Sequence, residues 1–150
     1  MNNVLHIGKV VAWEDRVETI LLVEDEAFVR NVTREILRAA GYRVIDAGDS
    51  LAANRRYDEF GPEVDLVVTD MILPGENGAE LAEKLRRQNP ALKILFVTGY
   101  ADQIAVLKDT GEEYLLKPFC TEVLLRKVGE LMEKSKMQVQ ESVMRACVGA

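Results

Sequence analysis

Five polar side chains in this 150-residue chain are of types, and at spacings, that could do chemistry together: Glu24, Asp25, Asp70, Thr98 and Lys117. Each lies where a short apolar run ends. Thr19–Val23 (TILLV) runs into Glu24 and Asp25, Leu66–Thr69 (LVVT) into Asp70, Lys93–Val97 (KILFV) into Thr98, and Glu113–Leu116 (EYLL) into Lys117. Three carboxylates brought together repel one another, so something cationic must offset them. A hard, oxygen-seeking ion such as Mg2+ is the natural candidate, held by a few carboxylates with waters completing its octahedron. Lys117 adds a second positive charge. Such a set suits phosphoryl transfer onto a carboxylate. Asp70 can act as the nucleophile and become an aspartyl phosphate. Metal and Lys117 would neutralise charge on the transferring group, while Thr98 hydrogen-bonds one of its oxygens. Little else is required, because such catalysis is largely positioning and electrostatics.

These residues meet only if the intervening chain brings the strand ends together. Between the apolar runs lie helical patterns. Val29, Val32, Ile36, Leu37 and Ala40 recur at helical spacing and are stopped by Gly41. Arg43–Ala47 reads as a second strand, with Ser50 as the expected N-cap of a helix that runs to about Phe60 and ends at Gly61-Pro62. Asn77 is expected to cap a helix carrying Leu81, Ala82 and Leu85, which Asn89-Pro90 closes. A short helix is expected around Gln103–Lys108. Thr121 is expected to cap a last helix with Leu124, Leu125, Val128, Leu131 and Met132 on one face. Five strand–helix repeats with apolar strands imply a parallel sheet covered on both faces, with right-handed connections. In such an α/β doubly wound sheet the carboxyl ends of the strands converge on one crevice.

Composition sets the outer bounds. Hydrophobic residues make up 48% and charged residues 29% of the chain, a globular balance that can bury a core without metals or disulfides. The net charge of −6 disfavours nucleic acid as a direct partner, since phosphate backbones call for clustered Lys and Arg. Cys120 and Cys147 form no CxxC pair and a single His6 cannot supply a zinc site, which points to a reducing, cytoplasmic home. No apolar run is long enough to span a bilayer, and His6 and Lys9 interrupt the partly apolar Val4–Trp13. Asn31-Val32-Thr33 matches a glycosylation acceptor but lies in an expected helix, and the terminal Cys147-Val148-Gly149-Ala150 lacks the aliphatic third position of a prenylation box. Neither is read as functional.

The segments Leu21-Leu22-Val23-Glu24-Asp25-Glu26, Asp70-Met71-Ile72-Leu73-Pro74-Gly75, Thr98-Gly99 and Lys117-Pro118-Phe119 together resemble the four signature segments of response-regulator receiver domains, in the family's order, over about Glu18 to Lys134. The resemblance implies a flavodoxin-like (βα)5 three-layer sandwich with sheet order 2-1-3-4-5. It implies that Asp70 is the phosphoacceptor, that Glu24, Asp25, Asp70 and the backbone carbonyl of Ile72 hold Mg2+, and that Lys117 binds the phosphoryl group. It also implies a switch pair in Thr98 and Tyr114, and a cis peptide at Lys117-Pro118. Two departures stand out. Glu24 occupies a position where Asp is commoner, and only 14 residues, Gly99 to Glu112, join the fourth and fifth strands, room for a short fourth helix.

The organisation expected is an N-terminal extension over 1–18, a receiver unit over 19–134 and a tail or helix extension over 135–150. Sixteen residues follow Lys134, too few for a DNA-binding output domain, as in stand-alone receivers or those of hybrid sensor kinases. The implied partners are a histidine kinase or histidine phosphotransfer protein as donor, and a downstream protein. The implied activity is limited to the chain's own phosphorylation and dephosphorylation. Two other classes compete. A receiver-fold interaction module without phosphorylation would not need Asp25, Asp70, Thr98 and Lys117 together. A phosphatase-type enzyme with an aspartyl intermediate would want a second acid at position 72, which here is Ile72.

Overall fold

A computed structural model describes residues 16–148. The five apolar runs form β1 (Thr19–Val23), β2 (Arg43–Ala47), β3 (Leu66–Asp70), β4 (Lys93–Thr98) and β5 (Glu113–Leu116) of one parallel sheet, ordered β2-β1-β3-β4-β5. Five helices alternate with them: α1 (Ala27–Ala39), α2 (Ser50–Phe60), α3 (Gly78–Gln88), α4 (Ala101–Asp109) and α5 (Thr121–Val148). This is the flavodoxin-like doubly wound sandwich. Val4–Trp13, His6 and nearly all of the 1–18 extension, together with the last two residues of the Cys147 motif, lie outside the described residues.

The central strands β1, β3 and β4 are almost wholly buried because both faces of the sheet are covered, while the edge strands β2 and β5 carry Arg43, Asp46 and Glu113 and are partly exposed. On one face Leu21, Val23, Val67, Ile94 and Phe96 pack with Ala53, Tyr57, Leu81, Leu85 and Leu107 from α2, α3 and α4. On the other, Ile20, Leu22, Val68 and Leu95 pack with Leu37 of α1 and Leu124, Val128, Leu131 and Met132 of α5. Alternate residues of one strand thus serve opposite layers, which locks the register, since a one-residue slip would exchange the two cores.

That register aligns the strand ends. Val23 lies opposite Thr69, Asp70 opposite Val97 and Thr98 opposite Leu116. The next residues in line are therefore Glu24 beside Asp70, and Lys117 beyond Thr98. β1, β3, β4 and β5 are contiguous in the sheet, so four reactive strand ends fall within about 15 Å.

Local signals mostly act as the sequence implies. Asn77 caps α3, its side chain accepting from Glu80 N at 2.9 Å, and Gly41 ends α1 with φ 99°. Two caps differ. Asp49, not Ser50, caps α2: its extended backbone puts Oδ1 2.7 Å from Ala52 N, and Ser50 is the first helical residue. At α5, Thr121 is likewise already helical, and the Cys120 carbonyl takes the first helical bond, from Leu124 N. α4 runs a few residues beyond the expected Gln103–Lys108 but stays short. α5 continues to Val148, so residues after Lys134 extend the helix.

Gly78 opens α3 directly against the end of β3. Its N–H donates to the Met71 carbonyl at 2.8 Å, and a Cβ added there would sit 2.1 Å from the Asp70 carbonyl oxygen. Helix propensity alone would make Gly78→Ala stabilising by up to about 1 kcal/mol. The collision with a backbone atom should reverse that sign and destabilise by roughly 1–3 kcal/mol in denaturant unfolding. An alanine variant as stable as the parent would show that Gly78 does not fix the Asp70 backbone.

α4 buries Leu107 alone, and a helix so short has little cooperative stability of its own. Its amides should exchange fastest among the helices before residue 134. Protection equal to that of α1 would contradict this.

Candidate functional site

The β1–α1 turn carries Glu24, Asp25 and Glu26 into the positive N-terminal end of α1, which favours acids there. The turn is fixed from both sides: Glu24 N donates to the Ala47 carbonyl at 3.1 Å, and Arg30 of α1 donates to the Glu24 carbonyl at 2.7 Å. Arg30 lies beside Asp46 at 3.5 Å, and Arg34, one turn on, bonds Asp46 at 3.0 Å. Asp70 is held through its backbone, with Thr69 Oγ1 donating to the Asp70 carbonyl at 3.0 Å and Met71 N to the Val97 carbonyl at 3.0 Å.

Lys117 closes the site. Its Nζ lies 2.9 Å from Asp70 Oδ1 and 3.1 Å from Glu24 Oε2, bridging two carboxylates whose side chains are 8% and 7% exposed. Its own backbone N–H donates to the Thr98 carbonyl at 2.8 Å, and the Lys117–Pro118 peptide is cis. Carboxylate oxygens of Glu24, Asp25 and Asp70 come within 4.8 Å of one another. Asp25 is exposed and makes no hydrogen bond or ion pair with the described residues. These groups line a cleft of about 480 Å³ together with Ile72, Thr98, Gly99 and Tyr100.

Two buried acids share one ammonium, and their proton affinities divide accordingly. Burial pushes the Asp70 carboxyl up to about 8, helped by its hydrogen bond with Glu24 and opposed by Lys117. Burial also raises Glu24, but its hydrogen bonds with Asp70 and Lys117 and the ammonium charge outweigh that and hold it below the usual carboxylate range. Lys117, lowered by burial, is carried above the usual range by its two acidic partners. Lys117 is the ammonium that both acids share, and the two are pushed in opposite directions, Asp70 up and Glu24 down. A further cation beside Asp70 would favour its ionised form. The hard oxygen donors and the unpartnered Asp25 fit Mg2+ in that role.

Tyr114 sits apart from the cleft. It is half-buried in β5 opposite Phe96, packs on the α2–α3–α4 layer, and has Lys108 Nζ 6.0 Å from its ring centre. Thr98 is buried at the cleft edge, donating its hydroxyl proton to Gln103 Oε1 and accepting from Tyr100 N at 3.2 Å. Sequence reading missed Arg30, Gly78 and Gln103. Arg30 and Arg34 were open to discovery as an i, i+4 basic pair facing a strand acid. Gln103 carried no signal, because its contact depends on where α4 starts.

The response regulator receiver domain family matches the sequence over residues 20–129. The chain is 38% identical over 119 residues to the sensor kinase CckA of Brucella abortus, covering 77% of this chain and 13% of that protein. It is 37% identical over 120 residues to the aerobic respiration control protein ArcA of Escherichia coli K12, covering 77% and 49%. The chain thus spans half or less of the length of these relatives. Among solved structures, the receiver domain of the hybrid histidine kinase CckA aligns with a TM-score of 0.67 and 34% identity over 76% of this chain and 98% of that one. The Thermotoga maritima response regulator TrrA, crystallised with Mg2+ and beryllofluoride, aligns with a TM-score of 0.69 and 31% identity over 77% and 99%. The chain belongs to the response regulator receiver domain family, the receiving module of two-component signalling systems.

Proposed function

We propose that this receiver accepts a phosphoryl group on Asp70 from a phosphohistidine of a histidine kinase or histidine phosphotransfer protein, and switches a partner-binding surface as a result. The observation that carries the reading is Lys117 Nζ at 2.9 Å from an Asp70 oxygen, with Glu24 and Asp25 clustered beside it. An Asp70 carboxylate oxygen attacks phosphorus, the phosphorus–nitrogen bond to the imidazole breaks, and the imidazole leaves with that electron pair. Lys117 binds a phosphoryl oxygen, and Thr98 turns its hydroxyl to another. Glu24, Asp25, Asp70 and the Ile72 carbonyl would hold Mg2+, which supplies charge neutralisation on the phosphoryl oxygens. The similar TrrA, with its Mg2+ and beryllofluoride, supports the same assignment here. Water later hydrolyses the acyl phosphate, so the chain acts on its own phosphoryl group and not on a separate substrate.

The donor has an adjoining place to dock. An apolar groove of about 770 Å³ between α1 and the Pro118 loop is lined by Phe28, Val32, Ile36 and Phe119, and Lys117 borders both groove and cleft. Phe28 is 75% exposed there. We take 19–134 as the receiver unit and 135–150 as a tail through which α5 continues to Val148, and place the protein in the cytoplasm. Among the described residues no helix is long and apolar enough to cross a membrane. Tyr114, beside α4, is proposed to turn with Thr98 when the phosphoryl group is present.

Incubation with acetyl phosphate and Mg2+ should add one phosphoryl group to the intact mass, and Asp70→Asn or chelation of the metal should abolish it. Labelling of Asp70→Asn equal to that of the parent would refute the assignment, and no labelling of either chain would favour a non-phosphorylated interaction module.

The proton on Asp70 has a sign that can be tested in metal-free buffer. Its folded pKa lies above the unfolded value, so folding takes up a proton between about pH 4 and pH 8 and stability falls as pH rises through that window. Asp70→Asn removes this cost, and should raise stability at pH 7 by roughly 1–3 kcal/mol, a gain that shrinks towards pH 4. A variant less stable than the parent at pH 7, or a gain that grows on acidification, would contradict the electrostatic account.

A further inference from the structure

Thr98 has one hydroxyl proton to give, and the structure has already committed it. The proton goes to Oε1 of Gln103, in the first turn of α4, while the lone pairs of the same oxygen accept from Tyr100 N at 3.2 Å. A threonine hydroxyl is a single donor, whereas an ionised phosphoryl oxygen is only an acceptor. Thr98 therefore cannot serve the Gln103 carbonyl oxygen and a phosphoryl oxygen at once. Thr98 is 4% exposed, so its proton has few other takers, while Gln103 is half-buried and its amide can turn to water when released.

From this competition we infer that Gln103 is a positioning residue that withholds the Thr98 hydroxyl from the cleft, so that its amide oxygen sets how strongly Asp70-bound phosphoryl is held. The inference rests on the reading of Asp70 as phosphoacceptor. It also gives the phosphoryl group a direct route to the helix. Thr98 ends β4, and its bond to Gln103 ties that strand end to the first turn of α4, a helix that buries Leu107 alone. When the phosphoryl oxygen takes the proton, that tie is lost and the α4 N-terminus loosens. A ligand shifts a conformational equilibrium only through contacts that differ between the two states, and this bond is such a contact.

The test is calorimetric titration of beryllofluoride into the Mg2+-saturated full chain, comparing the parent, Gln103→Met, Thr98→Val and the double variant. Gln103→Met keeps length and helix propensity and removes the acceptor. It should bind beryllofluoride about three- to tenfold tighter, the effect of releasing one competing hydrogen bond. In the Thr98→Val background the same change should do nothing, because the contested proton is gone. Gln103→Ala should move affinity in the same direction as Gln103→Met. Equal affinity in Gln103→Met, or a gain that survives in Thr98→Val, overturns the inference while leaving Asp70 as the acceptor. Weaker binding overturns it too, since it would mean that Gln103 supports Thr98 in the cleft. A parent chain that takes no beryllofluoride would bring down the Asp70 reading and this inference together.

Discussion

One ammonium group faces two buried carboxylates, and the rest of the site follows from that imbalance. Lys117 lies within 3.1 Å of both Glu24 and Asp70, one ammonium for two carboxyl groups, and burial with Glu24 alongside still pushes Asp70 up to about 8. A divalent cation would find oxygen donors already gathered there, and their mutual repulsion would be relieved on binding. Removing Lys117 would leave two buried acids with no cation, a far larger cost than the loss of an exposed ion pair.

The sheet is what imposes this arrangement. Its parallel register sets Glu24, Asp70, Thr98 and Lys117 at the ends of four contiguous strands, and the two apolar layers forbid the slip that would disperse them. Hydrogen bonds to the backbone then fix what register alone leaves loose: the Arg30 guanidinium on the Glu24 carbonyl, Gly78 N–H on the Met71 carbonyl next to Asp70, and Lys117 N–H on the Thr98 carbonyl. These bonds are concentrated at the acids, whereas α4 at the other edge of the site is anchored by one buried side chain.

Much of this is legible in the sequence. Apolar runs ending in Asp70 or Lys117 report both a buried strand and the polar group it presents, so fold and site came from the same residues. What was not legible depends on where a helix begins to the nearest residue. Ser50 and Asp49 are both good caps, and the extended backbone of Asp49 decides between them. Gln103 meets Thr98 only because α4 starts at Ala101, two residues before the expected boundary. Gly78 carries no signal of its own after the expected Asn77 cap, because its role depends on how close the Asp70 carbonyl comes to where a Cβ would sit. The family resemblance supplied roles for Ile72 and Tyr114 that their residue types alone do not suggest.

The central claim is that the phosphoryl group forms an acyl bond to one named carboxylate. Borohydride reduction of the chain after acetyl phosphate treatment converts a phosphorylated aspartate to homoserine, and peptide mass mapping locates it. The expected result is conversion at Asp70 alone, dependent on Mg2+. Conversion at Asp25 or another acid, or none in a chain that carries phosphate, would contradict the account.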